Sequence, residues 1–103
     1  MPDVPFNGTF AMIVSFSHMG LERFFKTGSK SGIQVKHSAK LRIILEHLNT
    51  AANIGDINFP NSGLHQLKGS KKGLWALKVN GNWRITFKFE NANVSIVDYV
   101  DYH

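Results

Sequence analysis

The stretch LWALKVNGNWRITFKF, residues 74–89, leaves this chain few folds to choose from. Asn80-Gly81 lies between two apolar runs. It is a dipeptide that closes tight β-hairpins, because such turns demand positive φ, which glycine adopts freely. Residues 83–89 then alternate without a fault, with Trp83, Ile85, Phe87 and Phe89 on one face and Arg84, Thr86 and Lys88 on the other. A strand patterned in this way buries one side and leaves a cationic side open. The apolar side needs a second layer to cover it.

That layer lies upstream. Residues 36–52 space Leu41, Ile44, Leu45, Leu48 and Ala52 by threes and fours, which predicts a helix with one apolar stripe, Lys36, Lys40 and His47 lying off it. HMGLERFFKTG predicts a shorter helix, with Met19, Phe24 and Phe25 sharing a face, Leu21 flanking and Gly28 ending it. MIVSFS, from Met12, reads as a strand, LHQL (64–67) as a short pairing segment, and GSKKG (69–73) as a basic turn. VSIVDYV (94–100) reads as the last strand, with Val94, Ile96, Asp98 and Val100 alternating against Ser95, Val97, Tyr99 and Asp101. Val94, Ile96 and Val100 would fix it in the sheet. The order predicts an α+β fold, two N-terminal helices packed on one face of a small twisted antiparallel sheet.

Residues 1–11 hold two of the three prolines and no periodic pattern, so they read as an N-terminal extension or vector remnant ahead of a domain spanning 12–103. The alternative is that Phe6 and Phe10 pack on that domain. The chain has 103 residues, 43% of them hydrophobic, enough for one core and too apolar for a disordered chain. It has no cysteine, which excludes a disulfide framework and a thiolate zinc site. No apolar run approaches a membrane span, and the N-terminus lacks the basic and apolar regions of a secretory signal, so a cytoplasmic protein is expected. Twelve Lys and Arg against seven Asp and Glu give +5 with histidine neutral. That surplus suits a polyanionic partner such as nucleic acid, the ribosome or an acidic protein; it also suits a merely soluble surface.

The open sheet face gathers the residues that could do chemistry. Arg84, Thr86 and Lys88 point together; Lys68, Lys71 and Lys72 come from the basic turn, with His65 just before it; Asp101, Tyr102 and His103 follow the last strand. These are the types that cleave RNA without a metal. One group takes the 2′-OH proton, another protonates the leaving 5′-oxygen, and cations steady the charge on phosphate. Histidine suits the proton transfers because it titrates near neutrality. Each residue has a blander reading: a strand histidine is more often surface or core, Lys71 and Lys72 a solvated turn, Trp75 and Trp83 core. A metal site has little support, with no HExxH and no tight His/Asp cluster at ligand spacing.

The run LHQLKGSKKGLWALKVNGNWRITFKFENANVSIVDYVDYH resembles the C-terminal part of the HigB toxins, a branch of the RelE/ParE superfamily. The matching pieces are the LHQLKG turn, the tryptophan-bearing strand, NWRITF and the closing DYH; MIVSFSHMGLERFF and the helix with its TAANIGDIN tail are similar to the rest of the family pattern. The resemblance spans residues 12–103 and implies a ribosome-dependent mRNA interferase that cuts the codon in the ribosomal A site. It also implies a HigA-type helix-turn-helix antitoxin and contact with operator DNA only through the antitoxin complex. By motif position, His65, Lys68, Arg84, Asp101, Tyr102 and His103 would be catalytic, with His65 and His103 as the proton-transfer pair in either order. Asp101 would orient an imidazole, Tyr102 would stack or hydrogen-bond at the base, and Lys68 and Arg84 would hold phosphate; Lys71, Lys72 and Lys88 would bind RNA or ribosome. No cofactor and no membrane are implied.

Two other readings share the fold: a ParE-like topoisomerase inhibitor that cuts nothing, and a non-catalytic RNA- or ribosome-binding module. The LHQLKG turn and DYH tail speak for the nuclease, since a pure binder has no use for a proton-transfer set.

Overall fold

The computed structural model describes residues 12–102. The N-terminal segment, with Phe6 and Phe10, and His103 lie outside the described residues. The elements run β1 (Met12–Ile13), α1 (Met19–Thr27), α2 (Ser38–Thr50), β2 (His65–Gln66), β3 (Trp75–Asn80), β4 (Trp83–Glu90) and β5 (Asn93–Asp101), with short 3₁₀ turns at Val35–His37, Ile54–Ile57 and Gly69–Lys71. The sheet order is β1-β5-β4-β3-β2. The chain therefore starts at one edge of the sheet, makes both helices, resumes at the opposite edge and meanders back to its start. The meander is antiparallel, but β5 meets β1 in parallel, with Met12 opposite Asn93 and Ile13 opposite Val94. The sheet is thus mixed, where the sequence suggested an antiparallel one.

The α2 stripe buries Leu41, Ile44, Leu45 and Leu48 as its spacing requires. The helix stops at Thr50, so Ala52 falls beyond it and is exposed, and Ala51 takes the buried place. On α1 the buried pair is Leu21 and Phe24, whereas Met19, expected on that face, is 76% exposed. His18 caps α1, its Nδ1 accepting from the Leu21 N–H at 2.9 Å, and Gly28 ends it at φ 82°. Against these helices the sheet sets Leu77, Ile85, Phe87, Val94, Val97 and Tyr99, with Trp75, Trp83 and Phe89 partly buried around them. Each such large side chain contributes roughly 1.5–3 kcal/mol by burial.

β5 departs from simple alternation. Ile96 sits at φ 47°, and the β4–β5 register slips between Thr86 and Lys88. One extra residue in a strand turns its later side chains over. Val94 faces the core before the bulge, and Val97 and Tyr99 face it afterwards; Ile96 is 43% exposed, and Asp98 and Val100 share the outer face. The expectation that Val94, Ile96 and Val100 anchor one face is corrected accordingly. β1 covers two residues, with a further bridge from Phe16 to Val97.

Both hairpin turns have two residues. At the second, Asn91 and Ala92 lie at φ 52° and 64°, the twin positive values of a type I′ turn. Alanine is strained there by about 1–2 kcal/mol. Ala92→Gly is therefore expected to raise unfolding stability by about 0.5–1 kcal/mol, less than the full strain because glycine gains freedom when unfolded; a urea titration reads it directly.

Candidate functional site

Register defines the outer face. His65 is opposite Ala76, Ala76 opposite Thr86, and Thr86 opposite Asp98, so these four residues form one row across β2, β3, β4 and β5. Ala76 and Thr86 are short and buried, and they make a floor between His65 on one bank and Asp98 on the other. The adjacent row carries Lys78, Arg84 and Val100. His65 and Arg84 stand two strands and two residues apart, roughly 12 Å between Cα atoms from ideal sheet spacings. Two long side chains can take hold of one phosphodiester across such a gap.

His65 is exposed, and its Nδ1 lies 2.8 Å from the Gly63 carbonyl oxygen. A carbonyl only accepts, so Nδ1 carries the hydrogen of the neutral ring. Nε2 is then the basic nitrogen, ready to take a proton or, once charged, to return one. The Arg84 Nη1 donates to the Gly81 and Trp83 carbonyls at 2.6 and 2.9 Å, which folds the guanidinium against the hairpin turn. Its remaining donors lie on Nη2 and Nε, the side suited to a bidentate phosphate contact. Lys68 precedes the 3₁₀ turn and lines a shallow groove together with Lys72. Lys71 reaches the tail, with Nζ 5.3 Å from the centre of the Tyr102 ring. Tyr102 is itself held by its N–H donating to the Asn82 carbonyl at 2.8 Å. The outer face thus brings together His65, Arg84, Lys78 and Asp98, with Lys71 against Tyr102 at the strand end.

Two of the residues singled out in the sequence lie elsewhere. Asp101 is opposite Trp83, so it shares the helix side of the sheet with Trp83 and Tyr99 rather than the outer face. Lys88 is four residues beyond Arg84, roughly 13 Å along the strand, and pairs with Glu90 at 3.6 Å. His103 lies outside the described residues. Among the described residues no three His, Asp or Glu side chains assemble as a metal-ligand set. Asp98 on the outer face was hidden from the sequence reading by the bulge.

A second histidine was missed altogether. His37 is 2% exposed, its Nδ1 lies 2.6 Å from the Tyr99 hydroxyl, and its ring stands edge-on to Trp83 and Tyr99. The Gln34 N–H donates to the Tyr99 oxygen at 3.3 Å, and among the described residues His37 Nδ1 is the acceptor within reach of the hydroxyl hydrogen, so the hydroxyl donates to Nδ1 and the hydrogen of the neutral imidazole sits on Nε2. The signal was present: His37 stands four residues before Leu41 and so continues the α2 stripe. Burial, together with Lys36 beside it, pushes the His37 pKa below 6.5. Burial holds the Tyr99 hydroxyl above its usual range, against the Gln34 hydrogen bond and with help from the Asp101 charge. Facing His37 are Tyr99 and Trp83 from the sheet and Lys36 from its own turn, and His18 stands edge-on to Tyr99.

Well above pH 6.5 His37 is neutral in both folded and unfolded chains. As pH falls below that value the unfolded chain takes up a proton that the folded chain refuses, so stability declines until the lowered folded pKa is passed. A melting temperature that falls as the pH drops through about 6.5 is expected. His37→Asn should remove this part of the drop, and matched melts of the two proteins measure it.

Two helices behind a sheet whose cationic outer face carries an exposed, tautomer-fixed histidine define a small α+β protein built to take hold of a polyanion. The chain belongs to the HigB-like toxin family, the RelE-like toxins of type II toxin–antitoxin systems, whose model matches residues 14–103. It is similar to the Endoribonuclease HigB of Proteus vulgaris, 41% identical over 92 residues, which cover 89% of this chain and 100% of that protein.

Proposed function

We propose that this protein is an endoribonuclease toxin that cuts mRNA in the ribosomal A site by metal-independent acid/base catalysis, and that a HigA-type antitoxin restrains it. The observation that carries the reading is the tautomer of His65. Its Nδ1–H is committed to Gly63, which leaves Nε2 basic on the same open face as Arg84. The family and the 41% identical endoribonuclease support a nuclease over a ParE-like inhibitor or a passive RNA binder.

The reaction runs through the RNA's own 2′-OH. One imidazole, His65 or His103, removes the 2′ proton; the 2′-oxygen attacks phosphorus; the other imidazole protonates the departing 5′-oxygen. Arg84 and Lys68 take the growing negative charge on the non-bridging oxygens. Tyr102, backed by Lys71, offers a ring for the base beside the cut. Asp101, on the far side of the strand, would act on His103 rather than on phosphate. The net charge of +5 suits approach to ribosomal RNA as well as to the message, and operator DNA would be met only through the antitoxin. With this chemistry the domain works as residues 12–103 in the cytoplasm.

The products distinguish this course from metal-assisted hydrolysis. Attack by the 2′-OH leaves a 2′,3′-cyclic phosphate upstream and a free 5′-OH downstream; attack by water leaves a 5′-phosphate or a linear 3′-phosphate. Direct kinase labelling of the downstream fragment with no phosphatase step, together with a 2′,3′-cyclic phosphate on the upstream fragment, supports the proposal. A downstream fragment labelled only after phosphatase treatment contradicts it.

A further inference from the structure

The His37 imidazole sits on the underside of the sheet, away from the outer face, and touches Trp83 and Tyr99 at the strand ends from which the tail leaves. Tyr99, its hydrogen-bond partner, is opposite Ile85; Val100 is opposite Arg84; Asp101 is opposite Trp83. Trp83 lies on Tyr99 with ring centres 4.5 Å apart at 31°, and edge-on to His37 at 5.7 Å. One clamp of three rings therefore holds the first residue of β4 and the end of β5. Arg84, Asp101 and Tyr102 are each one to three residues from a clamped ring.

The imidazole is a poor choice if packing were its whole task. Its Nε2 is buried and has no hydrogen-bond partner among the described residues. A buried polar group left unpaired costs stability, and an apolar side chain of similar volume would avoid that cost. What the imidazole supplies and an apolar side chain cannot is an acceptor for the Tyr99 hydroxyl, 62 residues away in sequence. We propose that His37 is a positioning residue for the nuclease: through its hydrogen bond to Tyr99, braced by Trp83, it fixes the strand ends that present Arg84 and Tyr102 to the RNA and Asp101 to the tail. This rests on the reading of Arg84 and the tail as site residues.

The test uses the full chain on mRNA-programmed ribosomes, with kcat, KM and melting temperature measured together at neutral pH. His37→Leu should lower kcat by roughly tenfold, as small misplacements of catalytic groups do, with KM within about twofold and a melting temperature that holds or rises. Tyr99→Phe, which keeps the ring stack and removes only the hydroxyl, should lose a similar factor, and it carries the test alone where His37→Leu fails to fold. The double variant should be no worse than either single one, because both break the same bond. His37→Asn, which retains an acceptor near the Nδ1 position, should recover most of the rate. Single variants that keep wild-type kcat, or lose it only in step with melting temperature, overturn the proposal. Asp101→Asn and Tyr102→Ala form a separate arm. If both cleave as wild type, the reading of the tail itself fails and the positioning role falls with it; if they fail to cleave while the His37 and Tyr99 variants remain fast, only the positioning role is overturned.

Discussion

Replacing His65 with alanine is expected to lower mRNA cleavage by about 10²–10⁴-fold, the usual range for losing a general acid or base. Stability should change by about 0.5 kcal/mol or less, the ordinary outcome at an exposed position. The imidazole is exposed on a two-residue strand, and the structural bond it makes is to Gly63 two residues away. Gln tests which property matters. It preserves hydrogen bonding and cannot transfer a proton near neutrality, so His65→Gln should be as slow as alanine. A rate within threefold of wild type for either variant would move the chemistry to the tail. Cleavage followed under single-turnover conditions avoids confusing slow chemistry with slow release.

The second large effect concerns folding and runs against helix propensity. Gly20 lies inside α1, where alanine would ordinarily stabilise by about 0.8–1 kcal/mol. Here a Cβ on Gly20 would come within 2.5 Å of the Gly32 carbonyl oxygen and 2.7 Å of its Cα, and a Cβ on Gly32 within 2.4 Å of the Gly20 Cα. Both neighbours are backbone, so neither can swing aside like a side chain. The helix and the loop 28–34 must separate, moving Leu21 and Phe24 from their buried places on the core. Gly20→Ala is expected to lose about 2 kcal/mol net, as overpacking typically costs 1–3 kcal/mol or more, and its melting temperature should fall by roughly 10 °C for a domain this small. An unchanged or raised melting temperature would mean that the two backbones can part without strain.

The sequence disclosed local features well and non-local ones poorly. The α2 stripe, the faultless alternation of residues 83–89 and the Gly28 helix end each depend on neighbours within a few residues, and each appears in the structure. The β1–β5 pairing joins segments some 80 residues apart, and no periodicity announces it. The Ile96 bulge defeats an alternation argument because a β-branched residue at positive φ carries no turn signature. The misplacement of Asp98 and Asp101 on the sheet's faces follows from that one bulge. His65, Lys68 and Arg84 were legible as candidates because types and spacing made them so; their roles came from motif resemblance, and the tautomer of His65 needed coordinates. His37 could have been found by running the apolar stripe one turn back, but the pattern does not tell a buried imidazole from a solvated one.

On the proposed function, the outer face cuts RNA that a ribosome presents to it. The most direct measurement maps the 5′ ends of a defined mRNA in a purified translation system with the protein added, in parallel with the same mRNA lacking a start codon. Cuts within codons of the translated frame, spaced by three, are expected, and none on the untranslated message. Equal cutting of both messages, or an intact message where translation nonetheless stops, would contradict it.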